Sequence, residues 1–384
     1  MIAVFILAVY SLFGSLTPDG ASIFEVLQAV GLFLLVVVCI ANGSPRRKYT
    51  PFVAFFYAAL VVGVIGAVDE PLRQSFRDIV AHLFLGLNVL WVSRLDERLS
   101  RILMFFMSLA GTLIGIRFLF ETGFSFSALA YKSSFTFDGL LKLNTDPLVI
   151  FAGGYGLSVA FDNSRSTLER AALLVFSVPG LMAIGLSGLR GPLAIIIVVA
   201  AIALYQSKVF SNWYSFLIVV ALMFLAFMNF DIIYTFYNNF SNKMSVAGTS
   251  AKSNEFFYVM FNAGSNIFRF LFGSGFGSQI DLGERSLAFT HTALSYYFAK
   301  AGVLVAILFV FFIISIIFNF TTQKLFRQPD AVLLLFIVLY GLMLNPHYKY
   351  MTFGFILVML LNRCQIAQGL STKLVGRNKL ALAP

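Results

Sequence analysis

Charge is scarce in this chain: 11% of its 384 residues are Asp, Glu, Lys or Arg, 59% are hydrophobic, and the mean hydropathy is +0.89. Soluble domains carry roughly 25% charged residues, so the composition excludes that class and implies a polytopic membrane protein. Cysteine is scarcer still. Cys39 and Cys364 lie far apart, at the ends of apolar runs, which excludes a disulfide framework and any cysteine-based metal spacing. No Asp-x-Asp pair occurs, so the usual acidic clamp for a divalent cation is missing. The amino terminus, MIAVFILAVYSLFG, has no positive region of the kind that opens a cleaved signal peptide, and it reads as a first span. Self-similar halves, the mark of many transporters, are also lacking.

What is there is a series of apolar runs. A window of about 19 residues gives twelve spans, near 2–17, 22–42, 51–68, 77–93, 101–120, 147–162, 169–187, 191–206, 213–230, 291–320, 331–345 and 349–363. The fold class expected is therefore all-α, a single transmembrane domain over 1–384. The formal charge of +10 is spread over short connections, which argues against nucleic acid. Lys and Arg collect in alternate connections (43–50, 94–101, 163–170, 207–212, 321–330 and 363–384), so both termini are expected in the cytoplasm. The two long loops, 121–146 and 231–290, then face outward, into the periplasm of a Gram-negative cell. The first of them mixes aromatic and small polar residues, a pairing that suits a sugar's apolar face and edge hydroxyls.

One stretch gathers polar and cationic groups between apolar blocks: NIFRFLFGSGFGSQIDLGERSLAFTHTALSYYFAKAG, from Asn266 to Gly302. Its turn, Gly273, Gly275 and Gly277, permits unusual backbone angles and close approach of another group, so it is expected to bind substrate. His291 follows at the head of the tenth span. A helix from His291 to Phe320 has 30 residues, about 45 Å, and would overrun the ~30 Å hydrocarbon core. In an unbroken helix Lys300 would face away from His291.

Four further cations draw attention on the outer side. Arg117 lies within the outer third of the fifth span, where a charge needs an anion or a cavity. Arg190, in GLSGLRGPLAI, stands at the start of the eighth helix, where unpaired amides and the helix dipole add to its guanidinium and make an anion site. Lys252 and Arg269 flank an amphipathic segment, Glu255 to Phe272, expected to lie on the outer leaflet. His82 and His347 read as structural.

Together these features resemble the O-antigen polymerase and ligase superfamily. The resemblance rests on twelve spans, the Ser-x-x-Arg-Gly turn at Ser187 to Gly191, the long loop 231–290, and Gly273 to Gly277. After these comes His-x-x-Leu-x-x-Tyr at His291, Leu294 and Tyr297, ending at Gly302. It implies a C-type membrane glycosyltransferase fold and an undecaprenyl diphosphate-linked oligosaccharide as donor. It also implies transfer at the periplasmic face of the bacterial inner membrane without metal or cofactor. Arg190 is then the diphosphate arginine, His291 the acceptor-side group, and Tyr297 and Lys300 substrate-side residues. Membrane lipids and a chain-length regulator are the implied partners. Thr292, Lys300 and Lys252 replace residues common in ligases, which favours a polymerase over a ligase acting on lipid A-core. A flippase for lipid-linked oligosaccharides is the rival of another class.

Overall fold

The computed structural model describes residues 2–13, 30–31, 33–34, 37–38, 50–68, 70–87, 95–121, 146–160, 162, 164–186, 190–206, 250–281, 286–345 and 347–381. Within them the chain is almost wholly helical, as expected. The α-helices are α1 (Ile2–Phe13), α2 (Thr50–Ile65), α3 (Leu72–Leu87), α4 (Glu97–Glu121), α5 (Pro147–Val159), α6 (Thr167–Leu186), α7 (Arg190–Gln206), α8 (Ser250–Gly264), α9 (Ile267–Phe272), α10 (Ala293–Thr322), α11 (Pro329–Met343) and α12 (Met351–Ala381). A two-stranded ladder pairs β1 (Ile280–Asp281) antiparallel to β2 (Ser286–Leu287), with Ile280 opposite Leu287. Short 3₁₀ turns cover Leu325–Arg327 and His347–Lys349.

By length and composition, α4, α6 and α10 can each cross a membrane; α1, α2, α5, α7, α11 and the first half of α12 are apolar but shorter. The second and ninth expected spans, 22–42 and 213–230, lie mostly or wholly outside the described residues, as do 122–145 and 231–249 of the two long loops. The expected fourth span differs most. Its helix, α3, starts at Leu72, five residues before the expected 77, and it is amphipathic rather than apolar. Ser75, Asp78 and His82 are buried at helical spacing, while Leu72 and Phe76 are exposed.

The core is built around α5, every residue of which is buried except Leu157. Its start is fixed by Asp146, whose carboxylate accepts the Leu148 amide at 2.8 Å, with Pro147 in the first turn. α4, α6, α7, α11 and α12 pack on it. Small residues let α4 and α6 come close: a Cβ on Gly111 would sit 2.0 Å from the Leu148 carbonyl oxygen, and one on Gly156 would sit 2.2 Å from that of Leu173. Between helices in lipid, such close packing replaces the hydrophobic drive available in water. α6 carries Pro179 inside it; in the turn it loosens, the Phe176 carbonyl accepts the Thr112 hydroxyl at 2.7 Å.

α10 is not one straight rod. Gly302 has φ 80° and ψ −178°, so a nine-residue segment, Ala293 to Ala301, is set off from a twenty-residue one, Val303 to Thr322. Twenty residues rise about 30 Å, the thickness of the hydrocarbon core, so the break removes the overrun expected of an unbroken helix. The longer segment is apolar all round. Val305, Phe309, Phe312 and Ile316 are buried against the bundle, while Ile307, Phe311, Ile314 and Phe318 stay exposed, as befits a lipid-facing surface.

Candidate active site

The glycine turn closes α9. Asn266 caps that helix by accepting the Phe268 amide at 2.9 Å, and Gly273, at φ 73°, ends it. The next amides are all used by the protein. Ser274 donates to the Ala299 carbonyl at 2.8 Å, Gly275 to that of Lys300 at 2.9 Å, Phe276 to that of Gly63 at 2.8 Å, and Gly277 to Asp78 Oδ2 at 2.9 Å. The Ala299 and Lys300 carbonyls are available because Gly302 breaks the helix just beyond them, leaving its last acceptors without helical amides. A Cβ on Gly275 would stand 2.0 Å from the Gly66 carbonyl, and one on Gly273 would stand 2.3 Å from the Lys300 carbonyl carbon. Close approach was the expectation for Gly273, Gly275 and Gly277. The group that approaches is the chain's own backbone, so these glycines knit α2, α3 and α10 together instead of cradling substrate.

Lys300 is the second correction. Its side chain is fully buried, with Nζ 2.8 Å from Asp78 Oδ2 and a further bond to the Ser278 carbonyl. Asp78 is equally buried, and Arg77 Nε lies 3.4 Å from its other oxygen. A buried pair so enclosed is a strut between α3 and α10, with no face left for a substrate. Tyr297, also expected on the substrate side, is 1% exposed and packs edge-on to Phe55 at 4.7 Å. Its hydroxyl meets His82 Nδ1 at 3.0 Å, while His82 Nε2 lies 3.0 Å from the Phe56 carbonyl. A carbonyl only accepts, so Nε2 carries the ring proton and Nδ1 accepts from the tyrosine. His82 is thus structural, as expected.

His291 is placed quite differently. It lies just before α10, which Thr292 caps by accepting the Ser295 amide at 3.1 Å. Glu255, on α8, grips His291 twice. Oε1 accepts its backbone amide at 2.7 Å and Oε2 meets ring Nδ1 at 2.6 Å. The Glu255 side chain is 2% exposed and that of His291 41%. The carboxylate fixes the proton on Nδ1 and leaves Nε2 to accept another from an incoming group. A carboxylate and an imidazole paired in this way are chemically able to accept a proton from a hydroxyl.

Two cations stand over the chain just before His291. Phe289, two residues before His291, has the Arg77 guanidinium 5.2 Å and the Lys349 ammonium 5.1 Å from its ring centre. Phe289 also stacks on Tyr296 at 5.4 Å. The Tyr296 hydroxyl and Arg77 Nη2 are buried with no hydrogen-bond partner among the described residues. Tyr348 ties this cluster to His291's own strand of chain, donating to the Thr290 carbonyl at 3.0 Å. The sequence reading missed Glu255, Arg77 and Lys349. A lone acid in the apolar run EFFYVMF was the available signal for the first.

Arg190 opens α7, as expected, half-buried; α7 packs on α5, α6 and α11, with Gly191 against the Tyr340 ring. Ser187 and Gly188 of its turn lie outside the described residues. Arg117 is half-buried near the end of α4. Arg269 is exposed on α9 and lines a cavity of about 200 Å³ with Asn262, Ser274, Gln279 and Asp281. Lys252 is in the first turn of α8; its side chain and that of His347 lie outside the described residues. No family model, curated protein or solved structure matches the chain.

Proposed function

We propose that the protein is an O-antigen or related polysaccharide polymerase. It transfers a glycan from undecaprenyl diphosphate to the terminal sugar of a lipid-linked repeat unit at the periplasmic face of the bacterial inner membrane. The observation that carries this reading is the Glu255–His291 pair at the head of α10, with Nε2 of the half-exposed imidazole unclaimed by the carboxylate. His291 Nε2 takes the proton of the attacking sugar hydroxyl as the new glycosidic bond forms. The bond between the anomeric carbon and the diphosphate breaks, and the leaving group carries its electron pair to the cations nearby.

Arg77 and Lys349 are new candidates for that anion, in addition to Arg190. Arginine's fork binds phosphate oxygens in pairs, and the buried Arg77 Nη2 still has donors to offer. The exposed apolar residues Phe257, Tyr258, Phe261, Ile267 and Phe268 of α8 and α9 support the expected membrane-surface position of this segment, where a polyprenyl donor is held.

Reconstitution with a defined undecaprenyl diphosphate repeat unit tests the reading. A ladder of longer chains is expected, in EDTA as well as without it. Transfer only to a lipid A-core acceptor identifies a ligase instead, and movement of intact donor between leaflets without bond formation identifies a flippase.

A further inference from the structure

The end of the bundle opposite the glycine turn carries a second charged structure. α10 begins beside the turn and ends at Thr322, and near its far end a cavity of about 380 Å³ opens. Arg101, Arg165, Arg327 and Arg363 line it, against Asp162 and Asp330. Arg165 is 8% exposed and held rigidly. Its Nε lies 3.3 Å from Asp162 Oδ2, Nη1 2.6 Å from Glu169 Oε1, and Nη2 donates to the Tyr155 hydroxyl at 3.0 Å. Arg363 pairs with Asp330, and its Nε is buried without a hydrogen-bond partner among the described residues. Arg101 pairs with Glu97 at 2.8 Å, both exposed, and Arg327 is exposed with no side-chain hydrogen bond among the described residues.

Counting Glu97 and Glu169, the fixed charges balance. The cavity therefore offers directed N–H donors rather than a strong net field. Arg165 uses three of its five donors, and Arg327 offers all of its own. Such an array suits an anion with several acceptor oxygens. Large apolar residues flank the same positions and remain exposed: Leu99 and Ile102 beside Arg101, Tyr205 beside Gln206, and Phe326 beside Arg327. Free phosphate gains nothing from that surface, whereas a molecule with a phosphate head and hydrocarbon chains uses both parts.

We propose that this cavity binds the phosphate headgroup of an anionic phospholipid, with acyl chains running along Ile102, Tyr205 and Phe326. With the orientation proposed above, the lipid belongs to the cytoplasmic leaflet. Binding itself does not depend on the transfer reaction, so it stands or falls separately.

The test uses the purified full chain in detergent, with retention of added lipid read by native mass spectrometry. The protein is expected to retain phosphatidylglycerol over phosphatidylcholine. The exposed pair Arg101→Gln and Arg327→Gln should weaken retention roughly 25-fold, and Arg327→Gln alone roughly fivefold. The single variant serves if the double variant does not fold, as judged by its thermal unfolding. Unchanged retention in a folded variant overturns the proposal, as does equal retention of both lipids. Displacement of phosphatidylglycerol by millimolar inorganic phosphate overturns it too, and marks a site for the free anion.

Discussion

At the scale of single residues, two histidines, His82 and His291, have been given different work by their partners. His82 spends both ring nitrogens on Tyr297 and Phe56, whereas His291 spends one on Glu255. His291→Ala is therefore expected to lower chain growth by ~10² to 10⁴ while donor binding persists. Glu255→Gln should fall between that variant and the parent, because the amide still holds the loop but no longer fixes the ring proton. Polymer length and donor binding, measured separately, decide this; wild-type growth in His291→Ala removes it from the reaction. Arg77→Gln and Arg190→Ala should each reduce turnover roughly ten- to a hundredfold if each loses a charge-assisted bond to diphosphate. Whichever leaves turnover unchanged in folded protein is an anchor only. The sequence made His291 and Arg190 visible because unusual residues stand out in apolar surroundings. It did not reveal Glu255 or Arg77, whose partners lie 36 residues away in one case and across the fold in the other.

At the scale of elements, the glycine turn and the break in α10 form one device. The turn supplies amides and the break supplies carbonyls, so each makes good what the other lacks. Gly275→Ala must fit a Cβ against the Gly66 carbonyl at φ 83°, and loss of folded protein is expected in detergent-stable yield and thermal unfolding. Gly264→Ala is the matched control, since nothing lies within 4 Å of its Cβ, and it should be neutral or slightly stabilising. Equal behaviour of the two variants contradicts the packing role. Lys300→Met leaves the Asp78 carboxylate buried beside no ammonium and should cost about 3 to 5 kcal/mol. Adding Asp78→Asn should restore part of the melting temperature. Helix existence was legible from apolar runs; α3 was misjudged because its polar face is buried against partners that a hydropathy window does not see.

At the scale of the whole molecule, the expected orientation leads to a direct test. Single cysteines at Ser44 and Lys373 should be labelled from the cytoplasm only, and those at Ser127 and Ser250 from outside only; the reverse pattern moves the His291 site to the other compartment. The all-α class was plain from composition, while the assembly of the site from α3, α8, α10 and the 3₁₀ turn His347–Lys349 was not, since each contact joins distant parts of the chain. One such contact also constrains how the protein is made. Asp78 reaches its buried partner only across 222 residues of sequence, so during synthesis the carboxylate is made long before Lys300 leaves the ribosome. Until then α3 carries that charge on its packing face with only the neighbouring Arg77 beside it. A nascent chain halted before Lys300 lacks both the buried ammonium and the break at Gly302, and α3 is left without the partners that cover its polar face.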